Sequence, residues 1–164
     1  MKLPHDTEVT HIASPLGRLF LAAAADKLVG IWFESQAHLP DLQSYNHAPT
    51  HPVLQNAAIQ LAQYFAGSRL SFDLPLDLST GTPFQQSVWQ ALLSIPRGRT
   101  CSYQDISLRI GNPTAMRAVG GAVGRNPLGI IVPCHRVVGV HGALTGYAGG
   151  LARKTALLQL EGAL

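Results

Sequence analysis

The chain has 164 residues, 46% of them apolar and 13% charged, with two cysteines. That length buries a real core in one or two domains, while so few cysteines and no apolar span near membrane length exclude a disulfide scaffold and a membrane-spanning protein. The net charge of +3 hides a split: residues 1–80 hold four Lys/Arg against seven Asp/Glu, and residues 81–164 hold eight against two. Seven of those eight are arginines, which suit phosphate and base edges, so the second half is expected to meet a polyanion. The start, Met1 to Asp6, lacks the apolar run of a signal peptide, which predicts a cytosolic protein with reduced thiols.

Glu8 to Ala13, Leu19 to Ala25 and Leu28 to Phe33 are short apolar or alternating runs. The turn residues Ser14-Pro15-Leu16-Gly17 and Asp26-Lys27 separate them, so they predict a small antiparallel meander. Ser35 to Thr50 is polar, contains Pro40 and Pro49, and is expected to be a loop. From Pro52 the apolar positions Val53, Leu54, Ala57, Leu61, Tyr64 and Phe65 recur at helical spacing until Gly67. His5, His11, His38, His47 and His51 have no cysteine nearby and no metal-ligand spacing, so they read as scattered solvated side chains. Leu70 to Ser79 is extended around Pro75, and Gly81 follows where the charge changes sign. The boundary is placed there, with residues 1–80 as a supporting domain and 81–164 as the domain expected to carry the chemistry.

Thr82-Pro83-Phe84-Gln85 is a helix start, with threonine as N-cap, proline at the first position and glutamine three residues after the cap. The helix runs through Val88, Trp89, Leu92 and Leu93, and Pro96 stops it. After the basic loop Arg97-Gly98-Arg99-Thr100, Ser102 caps a helix from Tyr103 to Ile110. Asn112-Pro113-Thr114 then turns the chain into a second short helix at Ala115 to Gly120, a pattern that reads as helix-turn-helix. Arg117 sits in the first turn of that second helix. Gly120 and Gly121 cost about 1 kcal/mol each relative to alanine, and either close approach to DNA or packing on another helix would account for them.

Ile130 to Val138 sets Cys134 beside His135 between two apolar, β-branched runs. A thiol attacks only as thiolate, and an imidazole can take its proton. Taken alone the pair reads more readily as a buried structural cysteine beside a surface histidine. The glycine-rich stretch His141 to Gly150 and a closing helix from Leu151 follow. Glu161, one of two acids in this half, would ordinarily be an exposed terminal carboxylate.

The order and spacing of several motifs carry more than any one of them. Arg117-Ala118-Val119-Gly120, Asn126-Pro127, Pro133-Cys134-His135-Arg136-Val137, Gly146-Tyr147-Ala148-Gly149-Gly150 and Leu157-Leu158 with Glu161 together resemble the signature of the O6-alkylguanine-DNA alkyltransferases. Thr82-Pro83-Phe84-Gln85, Val88-Trp89 and Ser102-Tyr103 match that pattern as well. The first half is similar more loosely, through Ser14-Pro15-Leu16-Gly17 and Tyr64-Phe65-Ala66-Gly67. The resemblance implies an α+β fold: a small N-terminal α/β domain, ribonuclease H-like with antiparallel strands, then a mostly helical, winged-helix-like domain with the helix-turn-helix. It implies a monomer that flips O6-alkylguanine (or O4-alkylthymine) out of double-stranded DNA and moves the alkyl group onto its own Cys134, once and irreversibly, without cofactor; some members of the family hold a structural metal on first-half cysteines, and since this first half has none, no metal is expected.

By the same resemblance His135 is the base acting through a water, Glu161 orients it, and Asn126 braces the turn that aims the thiol. Tyr103 would bond the flipped base and donate a proton, the carbonyls of Cys134 and Val137 would accept from its exocyclic amine, the amide of Ala148 would reach O6, and Tyr147 would wall the pocket. Arg117 would fill the gap in the base stack from the helix that carries Ala118 and Gly120, while Arg97, Arg99 and Arg125 would meet phosphates. Met116 stands where the family has a smaller residue, Ser107 replaces an apolar one, and Cys101 has no role beyond a small buried side chain. Two other readings remain: a thiol hydrolase built on Cys-His-Glu, and a helix-turn-helix regulator whose thiol is incidental.

Overall fold

The computed structural model describes every residue from Met1 to Leu164. Its first half is a sheet in the order β3-β2-β1-β4, made of β1 (Glu8–Ile12), β2 (Leu19–Ala24), β3 (Lys27–Phe33) and β4 (Asn46–His47). The first three strands form the expected antiparallel meander, with Val9 opposite Ala22 and Leu21 opposite Ile31. The stretch expected to be wholly a loop holds the two-residue β4, which pairs parallel with β1 and makes the sheet mixed. Such a short edge strand has no hydrophobic alternation to betray it.

Leu19, Leu21, Leu28, Ile31 and Phe33 point to one face, where α1 (Pro52–Phe65) covers them with Leu54, Ala57 and Leu61. On the other face Ala22, Ala24, Val29 and Trp32 join Leu3 and Val9 in a smaller cluster. Trp32 lies across Gly30, where any side chain would run into its ring. His51, one of the histidines read as solvated, caps α1: its Nδ1 accepts from the Val53 amide at 3.1 Å and its Nε2 meets the Ala25 carbonyl at 3.0 Å.

The second half is helical: α2 (Pro83–Leu93), α3 (Tyr103–Arg109), α4 (Met116–Gly124) and α5 (Leu151–Leu160). Thr82 with Gln85 and Ser102 with Asp105 both form complete capping boxes, so α2 and α3 start where the local chemistry says. The first-half core continues without a break into Val88, Trp89 and Leu92 of α2, Ile106 of α3 and Val119 of α4. No helix is long and apolar enough to cross a membrane.

Two pairings position the site. Strand β5 (Cys101–Ser102) runs parallel to β6 (Val137–Val138), which sets the start of α3 beside the turn that carries Cys134. The free edge of β3 is covered by chain from outside the sheet. Leu28 donates to the Pro75 carbonyl, and Ile31 donates to the Pro127 carbonyl at 2.8 Å while accepting from Gly129 at 3.1 Å. The loop leading to Cys134 is thereby tied to the sheet, and the edge is closed to further pairing.

Candidate active site

Cys134 and His135 lie in one turn of 3-10 helix, Cys134–Arg136, just before β6. The approach to that turn is held in an uncommon shape. Ile130 is buried with φ +72°, a left-handed conformation that a β-branched residue adopts at a cost of about 1–3 kcal/mol. Asn126 holds it, donating from Nδ2 to the Val132 carbonyl at 2.7 Å and accepting from the Leu128 amide at 3.0 Å. Its side chain thus links the Leu128 amide to the Val132 carbonyl across the loop that leads to Cys134.

Of the expected relay, the structure brings His135 and Glu161 together. Glu161, at the C-cap of α5, is buried and not the exposed terminal acid that glutamates usually become. His135 Nε2 meets its Oε2 at 2.9 Å. Arg136 donates from Nε to Oε1 at 2.8 Å and from Nη2 to Oε2 at 2.9 Å. The Tyr64 hydroxyl donates to Oε2 at 2.7 Å. Burial alone would raise the Glu161 pKa, but the Arg136 guanidinium, the imidazole N–H and the phenol hold it well below the carboxylate range.

An ionised carboxylate only accepts, so His135 must carry its proton on Nε2. Nδ1 is left with its lone pair, buried and without a protein partner. Burial, aided by the charges of Arg136 and Lys154 and opposed by Glu161, lowers the His135 pKa, so the ring is neutral and ready to take a proton. The thiol needs that help. Burial pushes the Cys134 pKa up, against smaller opposing effects from the Asn126 side chain and the Lys154 charge, so the resting group is a thiol.

Cys134 opens onto a cavity of about 260 Å³, lined also by Tyr103, Gly120, Val123, Gly124, Gly146, Tyr147 and Ala148. Gly149 leaves the Tyr147 ring its place: a Cβ there would meet that ring at 2.6 Å and Phe33 at 3.1 Å. The wall is closed by Ala37 and His38 from the loop after β3, and the Ala37 amide donates to the Ala148 carbonyl at 3.0 Å. Beneath the wall lies Lys154, fully buried on α5, whose Nζ donates to the carbonyls of Val137 at 2.6 Å, Thr145 at 2.9 Å and Gly146 at 3.3 Å.

Two family models match the chain: the ribonuclease-like domain of 6-O-methylguanine DNA methyltransferase over residues 9–78, and its DNA binding domain over residues 83–163. The chain belongs to the 6-O-methylguanine DNA methyltransferase family. It is 50% identical over 150 residues to the methylated-DNA–protein-cysteine methyltransferase of Mycobacterium bovis, covering 92% of this chain and 89% of that one. It is 48% identical over 157 residues to the constitutive enzyme of Bacillus subtilis, covering 93% of each. Among solved structures it resembles the Mycobacterium tuberculosis O6-methylguanine methyltransferase, with a TM-score of 0.87 at 48% identity over 96% of this chain and 93% of that one. A crystal structure of that organism's OGT in complex with DNA matches with the same TM-score at 47% identity, over 96% and 92% of the two chains.

Within this methyltransferase fold, most of the expected residues meet around one cavity. Cys134, Tyr103, Tyr147 and Ala148 line it, and His135, Glu161 and Asn126 lie behind it. Val137 does not line it, and its carbonyl accepts from Lys154. Arg117 and Ala118 stand exposed on the first turn of α4, whereas Gly120 is half-buried and forms pocket wall beside Tyr103. Helix packing does not require these glycines: a Cβ at Gly120 would lie 4.0 Å from the Tyr103 ring and one at Gly121 would meet nothing nearer than 3.8 Å. Arg99 and Arg125 are exposed, but Arg97 is turned inward, donating to the Leu160 carbonyl at 3.0 Å, because that carbonyl and the Tyr64 ring offer it partners.

The sequence placed Tyr64 only in the helical stripe and the loosely similar Tyr64-Phe65-Ala66-Gly67, Arg136 only in its motif, Lys154 only among the basic residues and His38 only among the solvated histidines, and it had no place for Ala37. Lys154 is the one that composition could have raised, being the second half's single lysine among seven arginines. Ala37 and His38 carry no local signal.

Proposed function

We propose that this chain repairs O6-alkylguanine, and O4-alkylthymine, in double-stranded DNA by moving the alkyl group onto Sγ of its own Cys134. The observation that carries this reading is the thiol at the floor of a cavity with a neutral, carboxylate-held imidazole behind it. The target base is flipped into the cavity between Tyr103 and Tyr147. As Sγ forms its bond to the alkyl carbon, the carbon–O6 bond breaks in line with it. The thiol proton passes through a water to Nδ1 of His135, and Glu161 stabilises the imidazolium that results.

The leaving guanine oxyanion takes a proton from the Tyr103 hydroxyl and a hydrogen bond from the Ala148 amide. The carbonyl of Cys134 accepts one protein hydrogen bond already, from the Val137 amide, and keeps a second lone pair for the exocyclic amine, whereas that of Val137 lies outside the cavity lining and is held by Lys154. Arg117 enters the stack where the base has left, offsetting part of an unstacking cost of roughly a few kcal/mol, while Ala118 and Gly120 keep α4 slim and Arg125 meets phosphate. In this reading residues 1–80 support the site and residues 81–164 hold the acceptor and the DNA-facing helix. The monomer works in the cytosol, where its two free thiols stay reduced.

Water does not cleave a thioether as it cleaves a thioester, so each molecule acts once. The test mixes the protein with a duplex oligonucleotide holding one O6-methylguanine and weighs both. One added methyl group on the Cys134 peptide, saturating at one equivalent, is the expected result. Unchanged protein mass with the DNA still methylated, or several lesions cleared per molecule, overturns the reading.

A further inference from the structure

One side chain from the first half reaches into the relay. Tyr64 completes the buried stripe of α1 with Leu54, Ala57 and Leu61. Its ring stands edge-on to Phe65 and tilted against Phe72, each 5.3 Å away between centroids. The Arg97 guanidinium lies over the ring at 5.5 Å, and the same group holds the Leu160 carbonyl, one residue before Glu161. Packed on these sides, the phenol has one place to put its hydroxyl, and that place is Oε2 of Glu161 at 2.7 Å.

A tyrosine buried only for its bulk still needs an acceptor, and a backbone carbonyl would satisfy it. Here the acceptor is the oxygen that also receives the His135 N–H and Nη2 of Arg136. Two consequences follow. Arg136 grips both carboxylate oxygens from one side, and the phenol adds a third bond that stops the carboxylate from turning about its own axis. The phenol also draws charge from Oε2, which weakens that oxygen's hold on a protonated imidazole.

We propose that Tyr64 is a positioning residue of the transfer: from across the domain boundary its hydroxyl orients Glu161 toward His135 and sets the strength of the imidazole as a base. The inference rests on the alkyl-transfer reading above, and it gives the first half of the chain a part in the chemistry beyond support. The other charged and titratable groups around the pair are Arg136 on the same carboxylate, Arg97 over the phenol, Lys154 on α5, and Cys134 and Tyr147 toward the cavity. Removing one phenol oxygen leaves all of them in place.

The experiment compares wild type with Tyr64→Phe by following methyl transfer from the same duplex across pH 5 to 9, and by titrating His135 through its ring nitrogen-15 shifts. In the variant the acid limb of the rate profile and the His135 midpoint both move upward by about half a unit or more, because the ring N–H now faces a more negative oxygen. The plateau rate falls about tenfold, a fraction of what a whole acid–base group contributes. A variant that only unfolds more easily, with the same midpoint and plateau as wild type, overturns the proposal. Should wild type transfer no methyl group, the alkyl-transfer reading fails, and the His135 titration still judges Tyr64 by itself. If Tyr64→Phe does not fold, 3-fluorotyrosine at position 64 keeps the shape and strengthens the donor; the midpoint then moves downward, and an unmoved midpoint overturns the proposal.

Discussion

Glu161 and His135 meet at 2.9 Å with both side chains wholly shut off from solvent. Because the carboxylate is ionised and fully occupied by donors, the contact fixes the tautomer of the ring as well as its direction. Glu161→Gln removes both effects: the amide carries no charge to stabilise an imidazolium, and its NH₂ can turn toward the ring. Methyl transfer is expected to slow by about 10²–10⁴-fold, the usual contribution of a positioned acid–base group. The Arg136 guanidinium, now without its buried partner, is expected to cost about 3 kcal/mol of stability. Rapid-quench kinetics and urea unfolding measure the two losses separately, and a variant with normal rate would break the relay argument.

Lys154 joins three carbonyls from two segments, the strand after the acceptor and the glycine-rich wall of the cavity. Lys154→Met keeps the length and apolar stem but supplies no donor. Leaving buried carbonyls unpaired is expected to destabilise the chain by about 3 kcal/mol, and transfer should slow as the wall loosens. Hydrogen exchange is the sharper check. Amides from Gly146 to Gly150 should lose protection in the variant, and unchanged exchange there would show that the wall does not depend on the lysine.

Stability should fall on acidification in two steps of the same sign. Burial holds the His135 pKa below its usual value. Between that lowered value and about 6.5, the unfolded chain therefore binds a proton that the folded ring refuses. The Glu161 pKa is depressed, so its contribution is complete above about pH 4.3 and is lost as pH falls further. Urea midpoints measured from pH 7.5 to 4 should decline throughout, and His135→Asn should flatten the upper part of that curve. A flat wild-type profile from pH 7.5 to 5 would contradict the buried neutral imidazole.

Arg117 stands exposed at the start of α4, outside the cavity. Arg117→Ala is therefore expected to weaken repair of duplex DNA about tenfold or more, with far less effect on a free alkylguanine base. The variant's fold and thiol reactivity should be unchanged. Equal losses on both substrates would place the arginine in the chemistry and not in the handling of DNA.

Much of this was legible because the determining signals are local. The capping box of Thr82-Pro83-Phe84-Gln85 and the cap at Ser102 announce themselves, though the return bond from Asp105 does not, and the meander shows in its turn residues and alternation. Cys134, His135 and Asn126 share one short stretch, and their motif order, with Glu161 closing it, carried the rest. The illegible parts are contacts between distant positions. Tyr64 looks like any apolar residue on a helix stripe, because nothing nearby says where its hydroxyl ends. Arg97 looks like a loop arginine until the Leu160 carbonyl and the Tyr64 ring stand beside it. His38 reaches the cavity only because the loop after β3 folds across to Ala148, and β4 exists only because β1 has an open edge.

The distance in sequence between Tyr64 and Glu161 has a consequence for when the thiol becomes reactive. The bond between them joins residues 97 positions apart, and Tyr103, Asn126 and Lys154 are recruited from other points along the chain. Contacts of such long range form late, after most of the chain has been ordered. A nascent or partly unfolded molecule therefore holds Cys134 without a partnered base and without the cavity that would seat a target against it. A protein that reacts only once makes its transfer only when it is able to recognise what it should react with.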